Sequence, residues 1–148
     1  METIRATQTW QKAGVYYVRT EAMVKGFQIS LEMEFEEDQE NSIYILALDG
    51  IYPVGTCRLH LLEDRKTAKI ERVCVIEEYR EKGVGRKVIE AAEEWLQELG
   101  AEKIIITSRD EAVGFYQKLG YQADFEKIVD AGIFRIIYTE KNLERKDK

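Results

Sequence analysis

Residues 69–85 combine an apolar strand pattern with a short polar loop that contains Gly83 and Gly85. Positions 70–76 are apolar enough for a buried strand, and an amphipathic helix pattern begins at Val84. A glycine-bearing loop at a helix N-terminus presents free backbone N–H groups and the positive end of the helix dipole, which together favour phosphate. Three cations surround this loop: Arg80, Lys82 and Arg86.

The same Gly-x-Gly pattern is also compatible with a simple turn that binds nothing. It matches neither of the two common phosphate loops. A Walker loop needs Gly-Lys-Ser/Thr, which this stretch lacks, and a dinucleotide fingerprint needs a third glycine where Val88 stands.

Glu71 is a carboxylate inside the predicted apolar strand, a position that is costly unless the charge is paired or used. Strand alternation predicts that it shares a face with Val73 and Val75. One interpretation pairs Glu71 with the neighbourhood of Arg72 or with a cation on an adjacent strand. The other makes it a general base for an amine nucleophile, directly or through water.

Residues 110–121 form the second informative stretch. Ala112, Val113, Tyr116 and Leu119 have helical spacing, and Gly120 is suited to end the helix. From spacing alone, Tyr116 is a core aromatic residue with its hydroxyl at the edge of the core.

These two stretches resemble the signatures of the GCN5-related N-acetyltransferase (GNAT) family. Arg80-Glu-Lys-Gly-Val-Gly85 is similar to the Arg/Gln-x-x-Gly-x-Gly/Ala motif, and Ala112-x-x-Phe-Tyr-x-Lys-Leu-Gly-Tyr121 is similar to the second motif. The resemblance implies that the loop holds the pyrophosphate of acetyl-coenzyme A. The implied loop residues are Arg80, Glu81, Lys82, Gly83, Val84, Gly85 and Arg86.

The resemblance also implies roles outside the loop. The pantetheine arm would bond to the backbone of Val73, Cys74 and Val75, in a gap between two splayed parallel strands. Tyr116 would protonate the departing thiolate, since an unperturbed phenol has a pKa of about 10 and stays protonated at neutral pH. Arg109 stands where many members carry asparagine, and it could reach a phosphate or the adenosine end.

The elements around these motifs predict a mixed α/β fold. An Asp49-Gly50 turn predicts a hairpin between strands 42–49 and 54–62, and the strand–helix–strand order of 69–107 predicts a parallel pair. The family's fold is α+β, with a central, mostly antiparallel sheet and one parallel splayed strand pair, flanked by helices. We expect a single N-acetyltransferase domain over residues 1–148.

Residues 31–41 carry six acidic side chains, with Met33 and Phe35 between them. One interpretation is a solvated loop that Met33 and Phe35 anchor to the core. The other is a negative lip that attracts an amine substrate.

Composition limits the remaining functions. The net charge of −6 argues against nucleic acid and suits a cationic substrate. We expect Cys57 and Cys74 to be free thiols of a cytoplasmic protein. A role of Cys74 as an acyl carrier is disfavoured, because a buried thiol is a poor nucleophile. No apolar run is long enough for a membrane span, and the single histidine, His60, leaves no metal site.

We therefore expect an enzyme that transfers acetyl from acetyl-coenzyme A to an amine, by direct attack in a ternary complex. A small molecule or a peptide could be the acceptor, and homodimers are common in the resembled family. Three alternatives stay open: a non-catalytic coenzyme A-binding sensor, an acyltransferase that uses a different acyl-coenzyme A, and a structural or partner-binding domain.

Overall fold

The computed structural model describes residues 1–132 and 134–144, so positions 133 and 145–148 of the expected domain lie outside it. Within the described part, seven strands form one sheet: β1 (Glu2–Ala6), β2 (Ile43–Asp49), β3 (Tyr52–Leu61), β4 (Thr67–Val75), β5 (Lys103–Arg109), β6 (Gln122–Ala131) and β7 (Phe134–Asn142). The helices of this part are α1 (Thr9–Arg19), α2 (Leu31–Phe35), α3 (Val84–Glu98) and α4 (Val113–Lys118). A π-helical turn, Thr20–Lys25, continues α1.

The sheet has the strand order β1-β2-β3-β4-β5-β7-β6, and its pairs are antiparallel except β4 with β5. The parallel pair is short. Its register joins Thr67 to Lys103, Ala68 to Ile104 and Lys69 to Ile105, after which the two strands part. The prediction of a mixed α/β fold with one splayed parallel pair is confirmed.

Helices cover both faces of the sheet, and each face has its own apolar cluster. On one face, α3 buries a helical stripe of Val84, Val88, Ile89, Ala92 and Leu96. The first turn of α3 sits directly on β3, because a Cβ at Gly55 would lie only 2.6 Å from Val84 Cγ1. The glycine therefore allows the N-terminus of α3 to approach the end of β4.

A β-bulge interrupts β4 beside the splay. Thr56 pairs with Cys74 and Arg58 with Glu71, so two residues of β4 lie opposite one residue of β3. Arg72, one of those two, has φ +54. The bulge reverses the alternation of β4, and the predicted shared face of Glu71, Val73 and Val75 is wrong. Val73 and Val75 pack against the α3 cluster, whereas Glu71 bonds Arg58 beside α1 and α2.

A buried ion-pair network ties α1 and α2 to the sheet. Arg19, with no exposed surface, donates to Glu34 at 2.9 Å and to Asp38 at 2.6 Å. Arg58 of β3 donates to the same Asp38 at 2.7 Å and to Glu71 at 2.6 Å. Burial raises the pKa of Asp38, but hydrogen bonds from Arg19 and Tyr44 outweigh it and hold that pKa below its usual value.

This network corrects the interpretation of the acidic segment. The predicted loop contains the short helix α2, which Ser30 caps by accepting a hydrogen bond from the Met33 backbone. Of the two expected anchors, Phe35 packs against Tyr16 and Arg19, whereas Met33 is 57% exposed. The most buried side chain of the helix is Glu34, which is 1% exposed. A charged residue is the buried one because its charge is paired.

We predict that Arg19→Met destabilises the protein by about 3–5 kcal/mol, because it leaves Glu34 and Asp38 buried without their main cation. Lys25→Met is the matched control, since its i,i+4 pair with Glu21 is exposed and should contribute less than about 1 kcal/mol. Urea unfolding at pH 7 measures both. Equal losses in the two variants would contradict a structural role for the network.

Candidate active site

The cleft that opens where β4 and β5 part has a first cavity of about 430 Å³. It extends from the N-terminus of α3 to Tyr116. Most of the predicted cofactor-binding residues line it: Val73, Cys74, Val75, Arg80, Glu81, Gly83, Val84, Gly85, Arg86 and Arg109. The structure thus brings both sequence motifs to one cavity.

The loop before α3 has the backbone geometry of an anion site. Gly83 is the N-cap with φ +80, a left-handed conformation that favours glycine, and it offers no side chain to cap the helix. The first backbone N–H groups of α3 therefore lack intrahelical acceptors and remain available to a ligand. The glycine at position 85 is required for a different reason. A Cβ there would lie 3.1 Å from Phe115 Cζ, so packing already requires a small residue.

The cations around this loop differ in position. Arg80 and Arg86 line the cavity, and Arg80 Nε donates to the Val75 carbonyl at 3.2 Å. Lys82 lies over the Tyr79 ring instead, 5.4 Å from its centroid. The Tyr79 hydroxyl donates to Asp49 at 2.6 Å, which fastens the loop to the β2–β3 hairpin.

The outer half of β4 forms one wall of the cleft. Its ladder with β5 ends at Lys69, so the backbone of Val73, Cys74 and Val75 is not paired to β5. Burial raises the pKa of the Cys74 thiol to about 12, with the Glu34 charge adding to the effect. This thiol is protonated at neutral pH and is a poor nucleophile, which agrees with the argument against an acyl carrier.

Tyr116 stands at the junction of the cleft. It lines the first cavity and also a second one of about 270 Å³, and only 6% of its surface is exposed. Burial raises its pKa above the usual phenol value, with the nearby Cys57 and Cys74 adding to the rise. The phenol therefore stays protonated throughout the neutral range and can donate a proton.

The second cavity continues between β4 and β5, beyond Tyr116. Glu71 lines it with a side chain that is 24% exposed. Its Oε2 accepts from Arg58 and its Oε1 lies 3.6 Å from His60 Nδ1. The structure thus confirms the pairing of Glu71 with a cation on the adjacent strand.

Several residues that line the cleft were missed by sequence reasoning. Met23 and Phe27 come from the segment after α1, and Phe134 comes from β7. Arg109 Cζ lies 5.1 Å from the ring centroids of both Phe27 and Phe134. No local pattern signals this group, because its members are far apart in the chain.

The described residues contain neither a metal cluster nor a helix that could span a membrane. No cluster of three or more histidine, cysteine, aspartate or glutamate side chains suited to a metal ion occurs there. In the same part of the chain, no helix has both the length and the apolarity needed to cross a bilayer.

Comparison with known proteins explains the combination of splayed strands and glycine loop. The model of the acetyltransferase (GNAT) family matches residues 8–121, which is most of the chain. The chain belongs to this family. The family resemblance predicted from the two motifs is therefore confirmed.

Individual relatives agree with the family. The uncharacterised N-acetyltransferase YjcF of Bacillus subtilis is 35% identical over 134 residues, which are 90% of this chain and 94% of YjcF. A crystal structure from Lactobacillus plantarum, provisionally named an N-acetyltransferase, superposes with a TM-score of 0.88 at 28% identity, covering 97% of this chain and 98% of that one. The PaiA N-acetyltransferase of Thermoplasma acidophilum, crystallised with coenzyme A, shares the fold with a TM-score of 0.71 at 15% identity, covering 97% and 100% of the two chains.

Proposed function

We propose that this GNAT acetyltransferase moves an acetyl group from acetyl-coenzyme A to an amine by direct attack in a ternary complex. The observation that carries the proposal is the continuity of the first cavity. It joins the uncapped N-terminus of α3, the unpaired edge of β4 and the buried phenol of Tyr116. A thioester donor with a diphosphate at one end and a thiol at the other needs these features in this order.

The loop supplies binding energy at the diphosphate end of the donor. Backbone N–H groups from Gly83 to Arg86 would donate to the phosphate oxygens, and the side chains of Arg80 and Arg86 add positive charge. The backbone of Val73–Val75 would bond the pantetheine amides as an added strand does. Both contacts use main chain, and the close packing of Val84 on Gly55 places the start of α3 against β3.

Tyr116 is proposed as the general acid. When the amine nitrogen bonds to the acetyl carbon, the carbon–sulfur bond breaks and the leaving thiolate takes a proton. A phenol whose pKa is raised by burial holds that proton until the thiolate develops. Holding both reactants in one cleft contributes the larger part of the acceleration.

Glu71 is proposed to take the proton of the amine, directly or through a water. Arg58 holds the Oε2 oxygen, so the proton would go to Oε1, which lies 3.6 Å from His60 Nδ1. The second cavity, on the far side of Tyr116 from the loop, is then the place for the acceptor amine.

The proposal extends to the setting of the reaction. We propose one domain over residues 1–148 that acts on a small-molecule or peptide amine in the cytoplasm, where thiols such as Cys57 and Cys74 stay reduced. Steady-state thiol release across a panel of amines separates this enzyme from a coenzyme A-binding sensor, which would bind the donor without turnover.

We predict that Gly83→Glu abolishes donor binding, because it places a carboxylate where the diphosphate would lie. Coenzyme A at a hundred times its Kd should stabilise the wild-type protein by about 2.7 kcal/mol and should leave Gly83→Glu unchanged. Thermal unfolding with and without coenzyme A measures the difference.

Gly100→Glu is the matched control for that experiment. Gly100 has φ +104, so the same substitution meets a comparable backbone strain at the opposite end of α3. It should lose stability yet keep the full stabilisation by coenzyme A. Retained binding in Gly83→Glu, or equal loss in both variants, would refute the proposed anion site.

Removal of the Tyr116 hydroxyl tests its role as the general acid. Tyr116→Phe should lower kcat about 100-fold or more while the Kd of coenzyme A stays within twofold of wild type. Tyr121→Phe is the control, because the neighbouring hydroxyl donates to Glu93 rather than lining the cleft; it should keep its turnover. An unchanged kcat in Tyr116→Phe would remove the acid role.

A further inference from the structure

The second cavity has a charge pattern that bears on the acceptor, provided that the proposed function is right. With the donor on the α3 side of Tyr116, the acceptor would occupy the space between β4 and β5. That space is about 270 Å³, just below the usual range for drug-sized ligands, which suits a small molecule. Its charged and polar wall includes Glu37, Glu71, Arg72 and Arg109.

Arg72 is a cation whose hydrogen bonds are not satisfied by the described residues. Its Nε is buried without a hydrogen-bond partner, and such groups in native proteins call for an explanation. Its Nη2 lies 3.7 Å from Glu37 Oε2, beyond hydrogen-bond distance, and that glutamate side chain is 62% exposed. The pair is therefore weak and open to exchange.

The backbone conformation of Arg72 is strained. Its φ of +54 is unfavourable for a non-glycine residue, and it arises at the bulge where β4 parts from β5. Strained residues of this kind occur most often at ligand sites. Without the bulge, the side chain at position 72 would follow the regular alternation of the strand.

Arg109 brings a second cation to the same cavity from β5. Its guanidinium carbon lies 5.1 Å from the ring centroids of both Phe27 and Phe134, which contact each other edge to face. Its Nη1 lies 3.3 Å from Glu111, a side chain that is 68% exposed. Cation–π contacts position an arginine while its N–H groups remain able to bind an anion.

The two acids of the cavity lie closer to Arg58 than to Arg72. Glu71 is already bonded to Arg58, and Arg58 is 7% exposed. Glu37 is shared between Arg58 at 3.4 Å and Arg72 at 3.7 Å. An anion of the acceptor could therefore replace Glu37 at Arg72.

We propose that the acceptor is a free α-amino acid with an apolar side chain. Its carboxylate binds Arg72 with support from Arg109, and its amine faces Tyr116 and Glu71. The apolar residues of the wall include Met23, Phe134 and Ile136, and they would contact the side chain. An anion close to the amine is the feature that distinguishes this class from simple amines and polyamines.

The test is thiol release from acetyl-coenzyme A with three acceptors that differ only near the amine: leucine, leucinamide and isoamylamine. A screen of the other free amino acids accompanies it, in case another apolar side chain fits better. The preferred amino acid should exceed its amide and its decarboxylated amine about 10- to 100-fold in kcat/KM. Equal or better use of the analogues that lack the carboxylate, or no turnover with any free amino acid, would overturn the proposal.

A substitution of Arg72 tests whether this residue binds the carboxylate of the acceptor. Arg72→Met should raise the KM of the amino acid about 10- to 100-fold, leave the decarboxylated amine unaffected and keep the Kd of coenzyme A within twofold. Arg135→Met is the control, because that exposed arginine pairs with Asp110 on the surface, and it should behave as wild type. An unchanged KM in Arg72→Met would also overturn the proposal.

Failure of this inference is distinguishable from failure of the proposed function. Coenzyme A binding together with turnover of simple amines alone would refute the amino-acid acceptor and leave the acetyltransferase mechanism standing. Absence of coenzyme A binding would refute both.

Discussion

The parting of β4 and β5 after three residue pairs is the constraint on which the site depends. A parallel pair that stays in register leaves no room between its strands, and its backbone groups satisfy one another. Beyond the gap, β5 stays paired with β7 and β4 stays paired with β3. Each of the two strands therefore keeps one hydrogen-bonded neighbour and loses the other. The edges that face the gap retain hydrogen-bonding capacity, which a ligand can use as an added strand would.

Packing on both faces of the sheet holds that gap in place. On one face, Gly55 lets α3 sit close enough for its N-terminus to border the cleft. On the other, the network of Arg19, Asp38 and Arg58 ties α1 and α2 to β3. A buried network of this kind is weak evidence for stability, because desolvation opposes the attraction between the charges. Its consequence here is positional, since the π-helical turn between these helices supplies Met23 and the segment after it supplies Phe27.

Local patterns predicted much of this molecule. The helix from Val84, the Asp49-Gly50 hairpin and the strand–helix–strand order follow from periodicity and turn chemistry, which depend on neighbours in sequence. The loop and Tyr116 were predicted as site residues because their motifs are contiguous in the sequence.

Features that depend on distant residues were not predicted. The bulge at Arg72 places two residues opposite one on β3, and alternation within β4 alone gives no sign of it. Glu34 is buried because Arg19 of α1 donates a hydrogen bond to it. An acidic residue is expected to be exposed, so its type alone predicted the opposite. The contact of Arg109 with the rings of Phe27 and Phe134 likewise depends on residues that lie far apart in the chain.

In the proposed mechanism, backbone amides at the start of α3 bind the diphosphate of the donor. Selective ¹⁵N-glycine labelling tests it directly, because the chain has only ten glycines and two of them lie in the loop. Titration with coenzyme A should shift the amide signals of Gly83 and Gly85 and leave those of Gly50 and Gly100 in place. Unshifted signals of Gly83 and Gly85 at millimolar coenzyme A would contradict the account.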